Sequence, residues 1–457
     1  MKIVIVGDGK VGFALAEQLS REGNDIVIID KNADALERAA DKLDVMCISG
    51  NGVTSEVLQE AGVKTADLLI AATTNDEMNM ICCVMAKKIG AKYTVARIRD
   101  YEYFKDTEIL RGHLGIDKTI NPEYSSALKI ARQLRFPAAA NIEAFASDRV
   151  EMVEYKVEED DKLIGQKLKD LKNVIPSGVL FAVVKRGDSV FIPNGEYLVE
   201  KGDSIHIIGE PYSNTKFFVK QGKSNVKVKE VLVGGGGRIS LYLNHLLTDL
   251  NMKMEIIEIS KEKCGRLNQI LDNTLIINGD CTDQELLESE NPEETDAYIA
   301  LTGRDEDNII SALMAKQKGI PKVIVKVDKM NDVSVIHDIG IDSVISPKAI
   351  AADEIVRYVR ALRNTEGISV EKLYTLLNGE VEALEFILTS TENYLDIPLC
   401  NLEFKKGVLI GSIVRKNKII IPKGDEKLLQ GDKIIVILSG KYKPTDFNQI
   451  LSAVHNE

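Results

Sequence analysis

The sequence predicts an α/β chain built from two doubly wound parallel sheets, each followed by a small α+β module. Three observations predict it. An apolar, strand-like run at the start passes directly into a G-x-G-x-x-G turn and then a helical pattern. The same order of elements returns from Lys229. After each copy comes a segment of short β-rich runs separated by Gly-Asp turns.

The first stretch, Lys2 to Asp30, carries the most information. Ile3 to Val6 reads as a buried parallel strand, because it is apolar without alternation. Gly7-Asp8-Gly9-Lys10-Val11-Gly12 follows it. Apolar residues then recur at Val11, Ala14, Leu15 and Leu19, which is helical spacing. Gly7 permits the tight turn, Gly9 lets a pyrophosphate approach the backbone, and Gly12 lets helix and strand pack closely. A second strand, Ile26 to Ile29, ends in Asp30, whose carboxylate suits ribose hydroxyls. A carboxylate there repels a 2′-phosphate, which favours NAD(H) over NADP(H) and leaves ATP and ADP admissible.

Further strands are expected at Val45–Ser49, Leu68–Ala72 and Tyr93–Ile98. Helices are expected at Ala33–Leu43, Ser55–Ala61 and Asp76–Ile89. Such alternation with short loops predicts a Rossmann-like sheet. Right-handed crossovers then bring Asp30, Asn51, Thr73 and Thr74 to the crevice that holds the glycine turn. After Pro122 an apolar stripe at Ala127, Ile130, Ala131 and Leu134 marks another helix. Its stripe fits packing on its own domain or crossing to a partner domain, and the pattern does not choose.

The repeat covers the chain. Gly235-Gly236-Gly237-Arg238-Ile239-Ser240 matches Gly7 to Gly12, with Ser240 at the third glycine, where looser helix–strand packing is expected. Glu258 matches Asp30, Gly279-Asp280 matches Gly50-Asn51, Thr302 matches Thr73, and Lys326 matches Arg97. The segment from Leu180 likewise returns from Leu409, with Gly202-Asp203 matching Gly431-Asp432. The order is A–B–A′–B′, with domains at 1–140, 141–222, 229–363 and 368–452. Gln221–Lys229 is read as a linker, Asn364–Glu366 as a hinge, and the tail beyond Ser452 as loose.

Bulk properties narrow the function. Apolar content of 44% and charged content of 28% are those of an ordinary soluble protein, and the net charge of −12 gives a nucleic-acid partner no electrostatic support. No apolar run approaches the ~20 residues that span a bilayer, and charges and glycines interrupt the N-terminus too early for a signal peptide. An intracellular protein is expected, one that can still dock on a membrane protein. The six cysteines, Cys47, Cys82, Cys83, Cys264, Cys281 and Cys400, form no C-x-x-C and read as free thiols. His113, His206, His245, His337 and His455 are scattered, so no metal site is expected. The first β-rich module, roughly 141–220, offers no clustered acid/base pair, no Ser/His/Asp set and no Cys/His pair.

The A–B–A′–B′ order, the glycine turn with Asp30, the "GN/GD" turns, the "ATTNDEMN" stretch, Arg97 and the Gly-Asp modules together resemble the TrkA family of tandem RCK (KTN) proteins. The resemblance implies an RCK N-terminal domain and a small RCK C-terminal domain in each half. It implies binding of NAD(H), and in some members ATP or ADP, without redox chemistry. It also implies a ring, formed by self-association beneath a TrkH- or TrkG-like potassium-translocating membrane subunit, in which nucleotide occupancy gates the pathway from the cytoplasmic side. Carried over by position, Gly7, Asp8, Gly9, Lys10 and Val11 cradle phosphates and Asp30 holds the ribose. Asn51 and Gly52 lie near the adenine, Thr73 and Thr74 line the far end, and Arg97 meets a phosphate or an acid. The second set is Gly235, Gly236, Gly237, Arg238, Ile239, Glu258, Gly279, Asp280, Thr302 and Lys326. Lys326 departs from the arginine, exchanging a planar fork for a point charge. The resemblance makes the helices after Pro122 and Pro347 dimer-forming crossovers. Some related C-terminal domains bind cyclic di-AMP, but nothing in 141–220 or 368–450 marks such a site.

Two other readings share the cleft. One is an NAD-dependent oxidoreductase with a duplicated Rossmann domain, which lacks a visible catalytic residue. The other is a regulator of a different transporter built from the same units.

Overall fold

The computed structural model describes residues 1–105, 114–136, 142–146, 149–187, 189–222, 228–328, 339–364, 370–376, 380–388, 394–416, 418–439, 444 and 447–454. His113, His337, His455, most of the expected hinge and part of the expected linker lie outside them. The chain forms two compact units, one of Met1–Ala131 with Val228–Val356 and one of Arg132–Lys227 with Arg357–Glu457. The two sheet domains therefore share one unit, and the two modules share the other.

The first sheet contains β1 (Lys2–Val6), β2 (Asp25–Asp30), β3 (Met46–Ser49), β4 (Leu68–Ala71), β5 (Tyr93–Arg97) and β6 (Lys118–Ile120). All pair in parallel in the order β3-β2-β1-β4-β5-β6. Helices α1 (Lys10–Arg21), α2 (Ala33–Lys42), α3 (Ser55–Glu60) and α4 (Asp76–Ile89) make the crossovers, followed by α5 (Tyr101–Lys105) and α6 (Pro122–Arg135). The apolar runs are explained by burial on both faces: Ile3, Val4, Ile5 and all of β4 are fully buried. Helix boundaries follow local chemistry. The Asn32 side chain caps α2, and Asn75 accepts the Met78 N–H to start α4. Gly90, at φ 132°, ends α4. The strand order reverses between β1 and β4, which is where such sheets bind ligands.

The first module is an antiparallel sheet of β7 (Ile142–Phe145), β8 (Val150–Lys156), β9 (Val179–Arg186), β10 (Ser189–Phe191) and β11 (Ser204–Gly209), in the order β10-β9-β11-β8-β7. Helix α7 (Pro211–Lys220) buries Phe217 and Phe218 against Tyr155.

The second parallel sheet contains β12 (Glu230–Gly234), β13 (Lys253–Glu258), β14 (Leu275–Asn278), β15 (Ala297–Ala300), β16 (Lys322–Lys326) and β17 (Ser343–Ile345). Its order, β14-β13-β12-β15-β16-β17, repeats that of the first. Its helices are α8 (Arg238–Asp249), α9 (Lys261–Ile270), α10 (Gln284–Ser289), α11 (Asp305–Gln317) and α12 (Pro347–Asn364). The expected loosening at Ser240 does not occur. Ser240 is fully buried, and its hydroxyl donates to the Gly235 carbonyl at 2.6 Å.

Within this unit the two sheet domains meet through the helices the sequence left undecided. Ser125 on α6 donates to Glu354 on α12, and Lys118 pairs with Glu354 at 3.2 Å. The Tyr242 hydroxyl on α8 accepts from Asn121 at 2.8 Å and donates to the Arg99 carbonyl at 2.9 Å. Tyr101 and Tyr124 pack on the same ring. The start of α6 therefore crosses to the other sheet domain.

The second module has β18 (Val370–Leu376), β19 (Val381–Ile387), β20 (Leu402–Phe404), β21 (Val408–Arg415), β22 (Lys418–Ile420), β23 (Lys433–Ser439) and β24 (Leu451–Val454). Five strands form the sheet β18-β19-β23-β21-β22, and β20 pairs with β24. The chain expected to be loose beyond Ser452 instead continues that pairing to Val454, because β20 supplies it a partner. The module sheets share one apolar core, in which Phe145, Met152, Val183 and Ile208 pack with Tyr374, Val381, Val414 and Ile437.

Candidate functional site

A cavity of about 910 Å³ opens at the carboxyl ends of β1, β2, β4 and β5. The first glycine turn forms its floor. Gly9 caps α1 without a side-chain bond, and the first turn of α1 carries no acid. The free N–H groups and positive dipole end therefore face the cavity, which suits an anion. A Cβ built on Gly9 would meet nothing within 4 Å, so the backbone is open to close approach. Gly7 has a φ of 103°, and a Cβ on Gly12 would lie 1.8 Å from the Gly7 carbonyl oxygen. Gly12 is thus needed for packing and does not line the cavity.

The other residues of the first set line the cavity, and at Asp8 the backbone is already engaged. Asp30 accepts the Asp8 N–H at 2.6 Å and the Asn32 N–H at 2.8 Å. The Asp8 N–H is therefore spent on Asp30 and does not cradle a phosphate, and Gly7 donates to Ile29. The donors left are those opening α1. Asp30 keeps acceptor capacity beyond these two bonds. Asp8 itself is buried with Oδ1 unpartnered, and its pKa is pushed up to about 6 by burial and by Asp30, against the pull of Arg38.

Past the end of β3, Asn51 and Gly52 line the wall. A Cβ on Gly52 would lie 2.2 Å from a Val6 methyl, so only glycine fits. The Cys82 thiol donates to the Gly52 carbonyl, and burial pushes its pKa up to about 12, which leaves it inert. At the far end, the hydroxyl and N–H of Thr73 both reach Asn79 Oδ1, at 2.7 and 2.9 Å. Asn79 Nδ2 donates in turn to the Arg97 carbonyl. Arg97 pairs with Glu123 at 3.4 Å, and burial first, then Arg99 and Arg238, lower its pKa.

The second set is divided. Gly237, Arg238, Ile239 and Lys326 line this same cavity, whereas Gly235, Gly236, Glu258, Gly279, Asp280 and Thr302 do not. Glu258 is buried and takes the Gly236 and Ser260 N–H groups at 3.0 and 2.9 Å, as Asp30 does in the first domain. Asp280 is exposed and accepts the N–H and hydroxyl of Thr282 at 2.9 and 2.8 Å. Sequence reasoning missed Asp328 and Lys348 on the cavity wall, and Arg99 beside Arg97. Charge at the positions after Arg97 and Lys326 was the available signal. Among the described residues no cluster could hold a metal ion, and no helix is long and apolar enough to cross a membrane.

Comparison with known proteins agrees with this geometry. A family model described as the TrkA-N domain matches residues 3–122 and 231–347, and one described as the TrkA-C domain matches 152–213 and 383–441. The chain is 35% identical over 444 residues to Trk system potassium uptake protein TrkA homolog 1 of Methanosarcina mazei, covering 95% of this chain and 97% of that one. It is 31% identical over 453 residues to Trk system potassium uptake protein TrkA of Vibrio alginolyticus, covering 98% and 97%. A solved structure described as the GsuK channel bound to NAD shares the fold, with a TM-score of 0.64 at 16% identity over 98% of this chain and 78% of that one. Both sheet domains and both modules are matched along almost the whole length, and the chain belongs to the TrkA family.

Proposed function

We propose that the chain is a regulatory subunit of a potassium uptake system that senses an adenine nucleotide, NAD(H) or ADP/ATP, in the cavity on its first sheet domain. The observation that carries this is the cavity's two-sided wall. The first domain supplies the glycine turn, Asp30 and the Thr73 end, and the second supplies Arg238, Lys326 and Lys348. A ligand that touches both sides prefers one hinge angle between the sheet domains. It shifts the population of angles only by its differential affinity for them.

The relatives' names supply the potassium system, and GsuK, of like fold, is described as bound to NAD. Its partner would be a TrkH- or TrkG-like membrane subunit, met at the cytoplasmic face by a ring of self-associated chains. The cavity wall offers cations and carboxylates for binding, and among its lining residues there is no histidine or tyrosine to serve hydride transfer. The role proposed is therefore binding, with the absence of turnover left to the NADH oxidation assay.

Calorimetric titration of the full chain with NAD, NADH, ADP, ATP and cyclic di-AMP tests this, with an NADH oxidation assay over a carbonyl panel alongside. Saturable binding of an adenine nucleotide without turnover is expected. No binding of any of them would overturn the reading, and sustained NADH oxidation would replace it with an oxidoreductase.

A further inference from the structure

The internal repeat allows the two sides of the cavity to be compared position by position. In the first domain β5 ends at Arg97, and the N–H of Arg99 is held by Asp76 at 2.7 Å. In the second, β16 ends at Lys326, and the N–H of Asp328 is held by Asp305 at 3.0 Å. Arg99 and Asp328 are thus structural equivalents of opposite charge.

Each corner also receives a cation from the glycine turn of the other domain. Arg238 comes to the first corner, close enough to Arg97 to disfavour its charge. There Arg97 is matched by Glu123 and Arg99 by Asp76, while among the described residues Arg238 has no ion-pair partner. Lys10 comes to the second corner, and there Asp328 has already taken it, at 3.1 Å, with Lys326 at 3.9 Å from the same oxygen. The cross-domain cation is available in one corner and neutralised in the other.

The second cleft differs in two further ways. Leu267 packs on its glycine turn, where a Cβ on Gly236 would meet the leucine methyl at 2.4 Å. Tyr298 and Cys281 crowd Gly234, at 2.5 and 3.1 Å from a Cβ there. The first domain has the smaller Ala39 at the place of Leu267, whereas the Gly234–Cys281 pair exchanges sizes with Val6 and Gly52 of the first domain.

We propose that Asp328 is a built-in anion standing where the second domain would otherwise meet a phosphate, so that the duplicated chain takes one adenine nucleotide, not two, with its phosphates on the first glycine turn and Arg238. Asp328 also competes with that phosphate for Lys10, which makes it an affinity-setting residue for the first site. This rests on the nucleotide-binding reading above.

Equilibrium dialysis of the full chain with radiolabelled ADP tests it. The natural chain is expected to saturate at one ADP per chain. Asp328→Asn, which frees Lys10, is expected to bind about two- to fivefold tighter, the range an exposed ion pair spans. The gain should vanish when Lys10→Ala is added, as a double-mutant cycle requires. Two ADP per chain, or unchanged affinity in Asp328→Asn, overturns this proposal and leaves the nucleotide-binding reading standing. No ADP bound by the natural chain counts against that reading for ADP and removes this proposal with it.

Discussion

Asp30 grips the backbone of Asp8 at 2.6 Å, and the grip fixes the Asp8 carboxyl close to a second carboxylate in a buried position. Burial, then Asp30, push the Asp8 pKa up to about 6, with Arg38 opposing. The sign follows from linkage. A folded pKa above the unfolded value of 3.8 means that ionisation of Asp8 costs stability as pH rises through about 6, and the cost is absent below the unfolded pKa. Asp8→Asn should therefore melt higher than the natural chain above pH 6 and equal it near pH 3. The ionised carboxylate also repels a pyrophosphate. NAD, whose phosphate diesters do not titrate here, should bind more tightly as pH falls from 7.5 to 5.5. Asp8→Asn should bind more tightly at pH 7.5 and lose that pH dependence. A flat profile in the natural chain would reject the role of Asp8.

On the proposed reading, Asp30 is a ligand group and Glu258 a scaffold group. Both carboxylates hold two backbone N–H groups of their domain. Only Asp30 lines the cavity. Asp30→Ala should lose tenfold or more in nucleotide affinity, the scale of a hydrogen bond to a charged group at about 1.5–3 kcal/mol. Glu258→Ala should leave affinity within about twofold while lowering stability by about 1–3 kcal/mol, because two N–H groups lose their acceptor. Calorimetry read beside thermal melts distinguishes them, and equal losses of affinity would place a ligand in both clefts.

The repeat, the apolar runs and the turn residues made most of the sheet architecture legible, because burial on both faces and glycine geometry act locally. Strand β4 and helix α4 fall within a residue of where periodicity puts them. Strand β7 and the β20–β24 pair carry no strong pattern of their own, and their partners decide them. The first glycine turn and Asp30 were readable for the same local reason. That Asp8 spends its N–H on Asp30 was not, since it depends on a contact 22 residues apart. Nor was the sharing of one cavity by Gly7 and Arg238, which needs the two sheet domains to face each other.

Asn79 ties the far end of the cavity together. It is fully buried, takes the N–H and hydroxyl of Thr73, and donates to the carbonyls of Thr73 and Arg97. Asn308 makes the matching bonds to the Thr302 N–H, the Thr302 carbonyl and the Lys326 carbonyl. Asn79→Ala strands buried polar groups on two strand ends, so a loss of about 2–3 kcal/mol is expected. Asn308→Ala should cost as much. Only Asn79→Ala should also weaken nucleotide binding, because Thr73 lines the cavity and Thr302 does not. Denaturant melts with parallel titrations check both.

The Gly-Asp turns of the two modules carry the last prediction. Gly202 and Gly431 take φ of 84° and 83°, which turns the next residue inward. Asp203 is then fully buried and meets Arg186 through two bonds, of 2.7 and 2.9 Å. Asp432 meets Arg415 the same way, at 2.9 and 2.8 Å. Burial alone would raise the Asp203 pKa, but Arg186 and the Glu200 N–H override it and hold the carboxyl below its usual range. A depressed folded pKa gives stability that is present above the unfolded value of 3.8 and is lost as pH falls through the folded one. Asp203→Asn leaves the guanidinium against a neutral amide, and a loss of about 3 kcal/mol at pH 7 is expected from breaking such a pair. The loss should shrink as pH falls from 3.8 through the lower folded pKa, where the natural chain becomes protonated too. Arg186→Lys should restore little, since a point charge cannot make the two-pronged contact. Full stability in the lysine variant would show that charge alone, and not the fork, holds the turn.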